Sequence, residues 1–135
     1  MDISTINWFA VIAAALSTFL IGGLWYSPVL FGSRWAKENN FSKETLEGGN
    51  KAGIFGFAFV WSLVMSFDLA MFLNAKTTTV AWGVTAGFLA GFGWVGSAIF
   101  IIGLFERRST AYMLINAGYM IVSFLVMGLI IGAWR

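Results

Sequence analysis

The chain has 135 residues, of which 59% are hydrophobic and only 10% charged, with a mean hydropathy of +0.84. Cysteine and histidine are both absent, which removes disulfides, thiol nucleophiles, imidazole bases and the usual zinc, copper and haem ligands together. The formal net charge of +2 is too small to point to nucleic acid and fits the way membrane proteins orient themselves.

Water is the wrong solvent for this composition. A spanning helix needs roughly 20 largely apolar residues, because the hydrocarbon core is about 30 Å thick and a helix rises about 1.5 Å per residue. Four such stretches use most of the chain, so the expected organisation is one transmembrane domain over residues 1–135. Asp2 and no basic residue precede the first apolar run, so the positive start of a cleavable signal peptide is missing and the first helix is expected to stay in the mature protein.

In chain order, the first span is expected at about 6–26, with Trp8 at one end and Trp25 and Tyr26 at the other, where amphipathic rings favour the headgroup level. Ser27-Pro28 ends it. Proline suits the first turn of a new helix and Ser27 is placed to cap it, so a short interfacial helix is expected from Pro28 to about Glu38. In that helix Phe31 and Trp35 would face lipid and Arg34 and Lys37 water. Residues 39–51 are polar, carry Glu44 and Glu47 and close on Gly48-Gly49, as a solvated linker would. The remaining spans are expected at about 52–73, 80–105 and 111–134. Residues 74–79 and 106–110 leave only tight turns between them, and turns that short predict antiparallel neighbours. The expected fold is therefore all-α: a polytopic antiparallel bundle of four transmembrane helices, with a short cytoplasmic interfacial helix after the first.

Orientation follows from the basic residues, which are retained on the cytoplasmic side. Arg34, Lys37, Lys43 and Lys51 share a side with Arg107 and Arg108, against Lys76 and Arg135 opposite. The loop 27–51 and the turn 106–110 are expected in the cytoplasm and both termini outside, in the inner (plasma) membrane.

Between helices in lipid, close backbone approach through small residues replaces the burial of leucine. The third span carries Gly83, Gly87 and Gly91 at four-residue steps, a glycine-zipper spacing, with Ala86, Ala90 and Ala98 beside them. The first span has Ala10, Ala14, Thr18 and Gly22, and the last has Gly128 and Gly132. These faces either meet inside one bundle or form a homo-oligomeric interface. Trp61 and Trp94, near the middles of their spans, are expected as packing anchors, each needing an acceptor for its indole N–H.

Two polar features stand out. Asp68 is an ionisable residue within the second span, a candidate for a permeation path or, nearer the helix end, an interfacial carboxylate. On the cytoplasmic side Tyr26, Ser27, Glu106, Arg107, Asn116 and Tyr119 gather. They form either a vestibule for a lipid headgroup or small solute, or an ordinary set made of an arginine–glutamate pair, caps from Ser109 and Thr110 and one interhelical asparagine bond.

Two stretches carry a resemblance. Gly22-Gly23-Leu24-Trp25-Tyr26-Ser27-Pro28-Val29-Leu30-Phe31-Gly32, opening from Asn7-Trp8, is one; Phe105-Glu106-Arg107-Arg108, followed by Leu114-Ile115-Asn116-Ala117-Gly118-Tyr119, is the other. They resemble the signature stretches of a family of small bacterial membrane proteins catalogued as a domain of unknown function, over essentially the whole chain. The resemblance implies the four-helix fold, carries no established activity, and draws attention to Asn7, Trp25, Tyr26, Ser27, Glu106, Arg107, Asn116 and Tyr119. Asp68 belongs to neither stretch.

The functional expectation is a self-associating, non-enzymatic membrane protein that contacts lipids and binds a lipid or small solute at the cytoplasmic polar group. The alternative is a small channel or transporter with Asp68 on the permeation path. An enzyme would have to work with Glu106, Asp68, Ser27, Tyr26 or Tyr119, and no nucleophile and base stand at motif spacing among them. No cofactor is implied, and the oxygen ligands are not clustered for a metal.

Overall fold

The computed structural model describes residues 3–135; Asp2 lies outside them. After one 3-10 turn at Ile3–Thr5, α1 covers Trp8–Trp25, α2 Gly32–Glu38, α3 Lys43–Glu47, α4 Lys51–Phe72, α5 Val80–Phe88, α6 Ser97–Phe105 and α7 Thr110–Ala133. A π-helical segment, Leu89–Gly96, joins α5 to α6. Among the described residues there is no strand. Four helices are long and apolar enough to cross a membrane: α1, α4, the continuous helix Val80–Phe105 and α7. The chain is a multi-pass membrane protein.

Each span begins on a side-chain cap. The first amide groups of a helix have no partner within it, and near lipid an unpaired amide is expensive. The Asn7 side-chain oxygen accepts from the Phe9 and Ala10 amides at 3.1 and 3.2 Å. Asn50 accepts from Gly53, Thr79 from Trp82 and Ser109 from Tyr112.

The contacts between α1 and α4 descend one helix as they climb the other. Trp8 stacks on Phe67 at 5.5 Å, and Phe19 tilts against Phe59 at 6.1 Å and Phe55 at 6.2 Å. Between these ring pairs the hydroxyls do the joining: Ser66 donates to the Val11 carbonyl at 2.8 Å, and Thr18 and Ser62 share a bond of 3.1 Å. The third and fourth spans meet differently, backbone against backbone. A methyl group built on Gly83 would overlap the Gly128 carbonyl, and one on Gly87 would overlap that of Phe124. One on Gly91 would come within 3.0 Å of the Ile121 Cα. The glycine stripe of the third span thus packs inside the chain, Gly83 against Gly128 and Gly132, Gly87 against Phe124, and Gly91 against Phe124 and Ile121. Ala10 and Ala14 of α1 are buried as well, and Gly22 lies against the Tyr119 ring.

Several sequence expectations are corrected. Residues 28–31 are turn, and the interfacial helix begins only at Gly32, with no side-chain cap. The Ser27 hydroxyl donates back to Leu24 at 2.6 Å instead of forward. The chain then curls so tightly that the Leu30 and Gly32 amides both donate to the Ser27 carbonyl. A side chain at Gly32 would overlap the Tyr26 carbonyl. Trp35 does not face lipid: its ring meets Tyr26 and Phe41 edge-on, each at 5.3 Å. The polar linker contains a helical turn, α3, capped by Ser42.

Trp61 and Trp94 are not packing anchors. They are 65% and 74% exposed, and on the lipid-facing side of a bundle a large apolar ring is already in a favourable solvent, so nothing draws it inward. The π-helical segment had no sequence reading either. Its wider turn brings the Ser97 hydroxyl to the Phe92 carbonyl, five residues back, at 3.2 Å.

Candidate functional site

Five of the six polar residues expected on the loop side separate into two groups, and Ser27 joins neither, its hydroxyl bonding back to Leu24. Tyr26, Asn116 and Tyr119 are brought together. The Tyr26 hydroxyl donates to the Asn116 side-chain oxygen at 2.7 Å, and Asn116 donates in turn to the Tyr112 carbonyl at 3.1 Å. Tyr119 lies edge-on to the Tyr26 ring at 5.2 Å and donates to the Thr18 carbonyl at 3.1 Å. One turn away the Trp25 indole donates to the Ile115 carbonyl at 2.9 Å. These bonds lock the end of α1 to α7, and each donor has its acceptor within the fold. Their geometry is that of a latch.

Glu106 and Arg107 stand apart from the latch. With Glu38, Asn40, Arg108 and Ser109 they line a shallow basin at the membrane surface. Glu106 pairs with Arg108 at 3.4 Å and not with its neighbour Arg107, because the chain turns sharply between them. Arg108 also lies over the Tyr112 ring, 4.8 Å from its centre, a cation–π position.

The turn is built by the helix ends. At the end of α6 the Arg108 amide donates to Gly103 at 2.8 Å and the Arg107 amide to Leu104 at 3.1 Å, the paired bonds of a Schellman end, which requires a left-handed residue between them. That residue is Arg107, at φ 56°. The end of α2 repeats the device: Phe41 donates to Ala36 and Asn40 to Lys37, with Asn40 at φ 54°. Asparagine tolerates this conformation, whereas arginine stands where glycine would be cheaper by about 1 kcal/mol. Arg107 makes no ion pair among the described residues.

Glu38 is the basin residue that the sequence reading missed. Its carboxylate takes a short hydrogen bond from the Ser109 hydroxyl and an ion pair from Arg34 at 2.7 Å, tying α2 to the start of α7. The Ser109 hydrogen bond first, and the Arg34 bond next, hold the Glu38 carboxyl below the usual glutamate range. The i,i+4 spacing of Arg34 and Glu38 was a visible signal; the reach to Ser109 was not. Ser109 serves twice, since it also caps α7.

Asp68 lies at the other end of the molecule, four residues before the end of α4. It lines a cleft of about 600 Å³ with Phe72, Leu89, Gly93, Trp94 and Phe124. No group of three potential metal ligands occurs among the described residues.

The helical architecture and the four spans define the class, an all-helical polytopic membrane protein. Within that class the chain belongs to the family described as Protein of unknown function (DUF1761), whose model matches residues 9–132. No curated relative and no solved structure matches it.

Proposed function

We propose that this protein is a non-enzymatic component of the inner (plasma) membrane that binds an anionic phospholipid headgroup at the basin around Arg107. The loop 27–51 and the turn 106–110 then lie in the cytoplasm, with both termini outside, as the distribution of lysine and arginine favours. The observation that carries this reading is Arg107 itself: a guanidinium without an ion pair, held in a strained conformation at a helix end. Glycine at that position would relieve the strain and lose the charge. An arginine there gains a reason if it meets a phosphate, which a planar guanidinium engages through two parallel bonds.

The neighbouring charges are already committed, Glu38 to Ser109 and Arg34 and Glu106 to Arg108. That leaves one cation to meet one anion. Self-association through the glycine stripe loses its motive, since that stripe packs against Ile121, Phe124, Gly128 and Gly132 of the same chain.

The variant Arg107→Gly separates binding from folding, because glycine is the favoured residue at this helix end. Native mass spectrometry from lipid discs containing phosphatidylglycerol should find lipid retention lowered about tenfold. Thermal unfolding should be unchanged or shifted upward. Undiminished retention of phosphatidylglycerol by the variant, or equal retention of phosphatidylcholine by the parent, would refute the assignment.

A further inference from the structure

The second and third spans do not close on each other. At the turn end the Phe72 and Trp82 rings meet at 6.2 Å, and beyond that bridge α4 and the π-helical segment stand apart, with Phe124 of α7 as part of the floor. The resulting cleft of about 600 Å³ falls within the size of small-molecule pockets, roughly 300 to 1,000 Å³. Its lining residues are apolar except for Asp68, which is exposed. Trp94 and Leu89 at its edge are exposed, so the cleft opens sideways, toward lipid.

We propose that this cleft binds a lipophilic organic monocation, with Asp68 as its counter-ion. Asp68 has no hydrogen bond or ion pair with any described residue. An ionised side chain within a span is costly, and such residues ordinarily pair with one another or with backbone groups. Here the fold leaves the charge uncompensated. Phe72, Trp94 and Phe124 line the same cleft, and aromatic faces attract cations, tryptophan most strongly.

The wall chemistry selects the kind of cation. Calcium or magnesium would need six or more oxygen ligands, zinc four ligands from histidine, cysteine or carboxylate, and no further carboxylate lines the cleft. Any small inorganic ion would have to shed water that these walls cannot replace. An organic cation carries its own apolar shell and can reach the opening through the bilayer.

Gly93 sharpens the argument. Unlike Gly83 and Gly87, it has nothing within 4 Å of a Cβ built on it, so no neighbour requires a glycine there. Its missing side chain instead leaves room in the cleft, beside a π-helical segment of the kind that recurs at functional sites. This inference is independent of the phosphate reading at Arg107, which concerns the opposite end of the protein.

The test uses the full chain in discs of phosphatidylcholine alone, titrated with tetraphenylphosphonium and followed by equilibrium dialysis against empty discs. Saturable binding is expected, and tetraphenylborate, the anion of the same shape, should show none. Asp68→Asn and Gly93→Leu should each weaken binding about tenfold or more, the first by removing the charge and the second by filling the space. Neither should lower the thermal unfolding temperature, since neither position is packed.

Absence of saturable binding by the parent overturns the proposal. So does full affinity in Asp68→Asn, which would mean apolar trapping alone, or full affinity in Gly93→Leu, which would place the site elsewhere. Because the chain has no cysteine, Gly93→Cys gives a further check. Efficient disulfide-linked dimers would mean that a second copy covers the cleft, and would also overturn it.

Discussion

The third span has two flanks that solve the same problem in opposite ways. Toward α7 it presents Gly83, Gly87 and Gly91, and the two backbones touch. Toward α4 it presents Trp82, Leu89 and Trp94, and the helices are held apart around a cleft. In lipid, apolar bulk gains little from being buried, so this helix closes tightly on the flank where side chains are missing. The difference teaches that glycine in this chain has two meanings, distinguishable only by what stands opposite: Gly83 faces a carbonyl, Gly93 faces open space.

Substitution by alanine breaks this comparison most directly. Gly83→Ala forces a methyl into the Gly128 carbonyl and should destabilise the folded protein by about 2 kcal/mol or more. Gly93→Ala should leave stability unchanged or raise it, since alanine is the better helix former by about 1 kcal/mol. Thermal or denaturant unfolding in detergent measures both. Equal losses in the two variants would mean that the open flank is closed in solution.

A smaller effect is expected at the latch, where polar bonds between α1 and α7 add to the seating of the Tyr119 and Trp25 rings on Gly22 and Gly118. Tyr26→Phe leaves the Asn116 side-chain oxygen without its donor and should cost about 1 to 2 kcal/mol. It should leave phosphatidylglycerol retention intact. Loss of retention without loss of stability would return the latch residues to the ligand site.

The smallest effect belongs to the loop-side surface, at Glu38. Its folded-state pKa is depressed, by the Ser109 hydrogen bond first and Arg34 next. Its contribution is therefore fully present above the ordinary glutamate value of about 4.3, and it is lost as pH falls through the lower folded value. Glu38→Gln should lower stability slightly at neutral pH, where that contribution is present, and leave low pH almost unaffected, so the acid limb of a stability-against-pH curve flattens. An unchanged acid limb would mean that the contact between α2 and α7 does not form in solution.

The spans themselves were legible. Expected limits of 52–73, 80–105 and 111–134 stand beside observed helices Lys51–Phe72, Val80–Phe105 and Thr110–Ala133. The polar candidates were legible as residues but not as a site. Glu106 and Arg107 looked like a pair by adjacency, yet the left-handed turn at Arg107 gives Glu106 to Arg108. Tyr26, Asn116 and Tyr119 read either as a vestibule or as an ordinary interhelical set, and in the fold they bond to one another and to the backbone.

The sequence by itself determined the number and length of the spans, because the thickness of the solvent imposes them and composition reports them directly. Only the tertiary structure decided which glycine face meets which helix, that Trp61 points outward while Trp94 stands at the edge of a cleft, and that Asp68 lines the same cleft. The physical reason is that in lipid every face of an apolar helix is tolerated on the outside. Hydrophobicity therefore carries no signal of inward and outward, and the choice falls to shape and to hydrogen bonds between residues far apart in the chain.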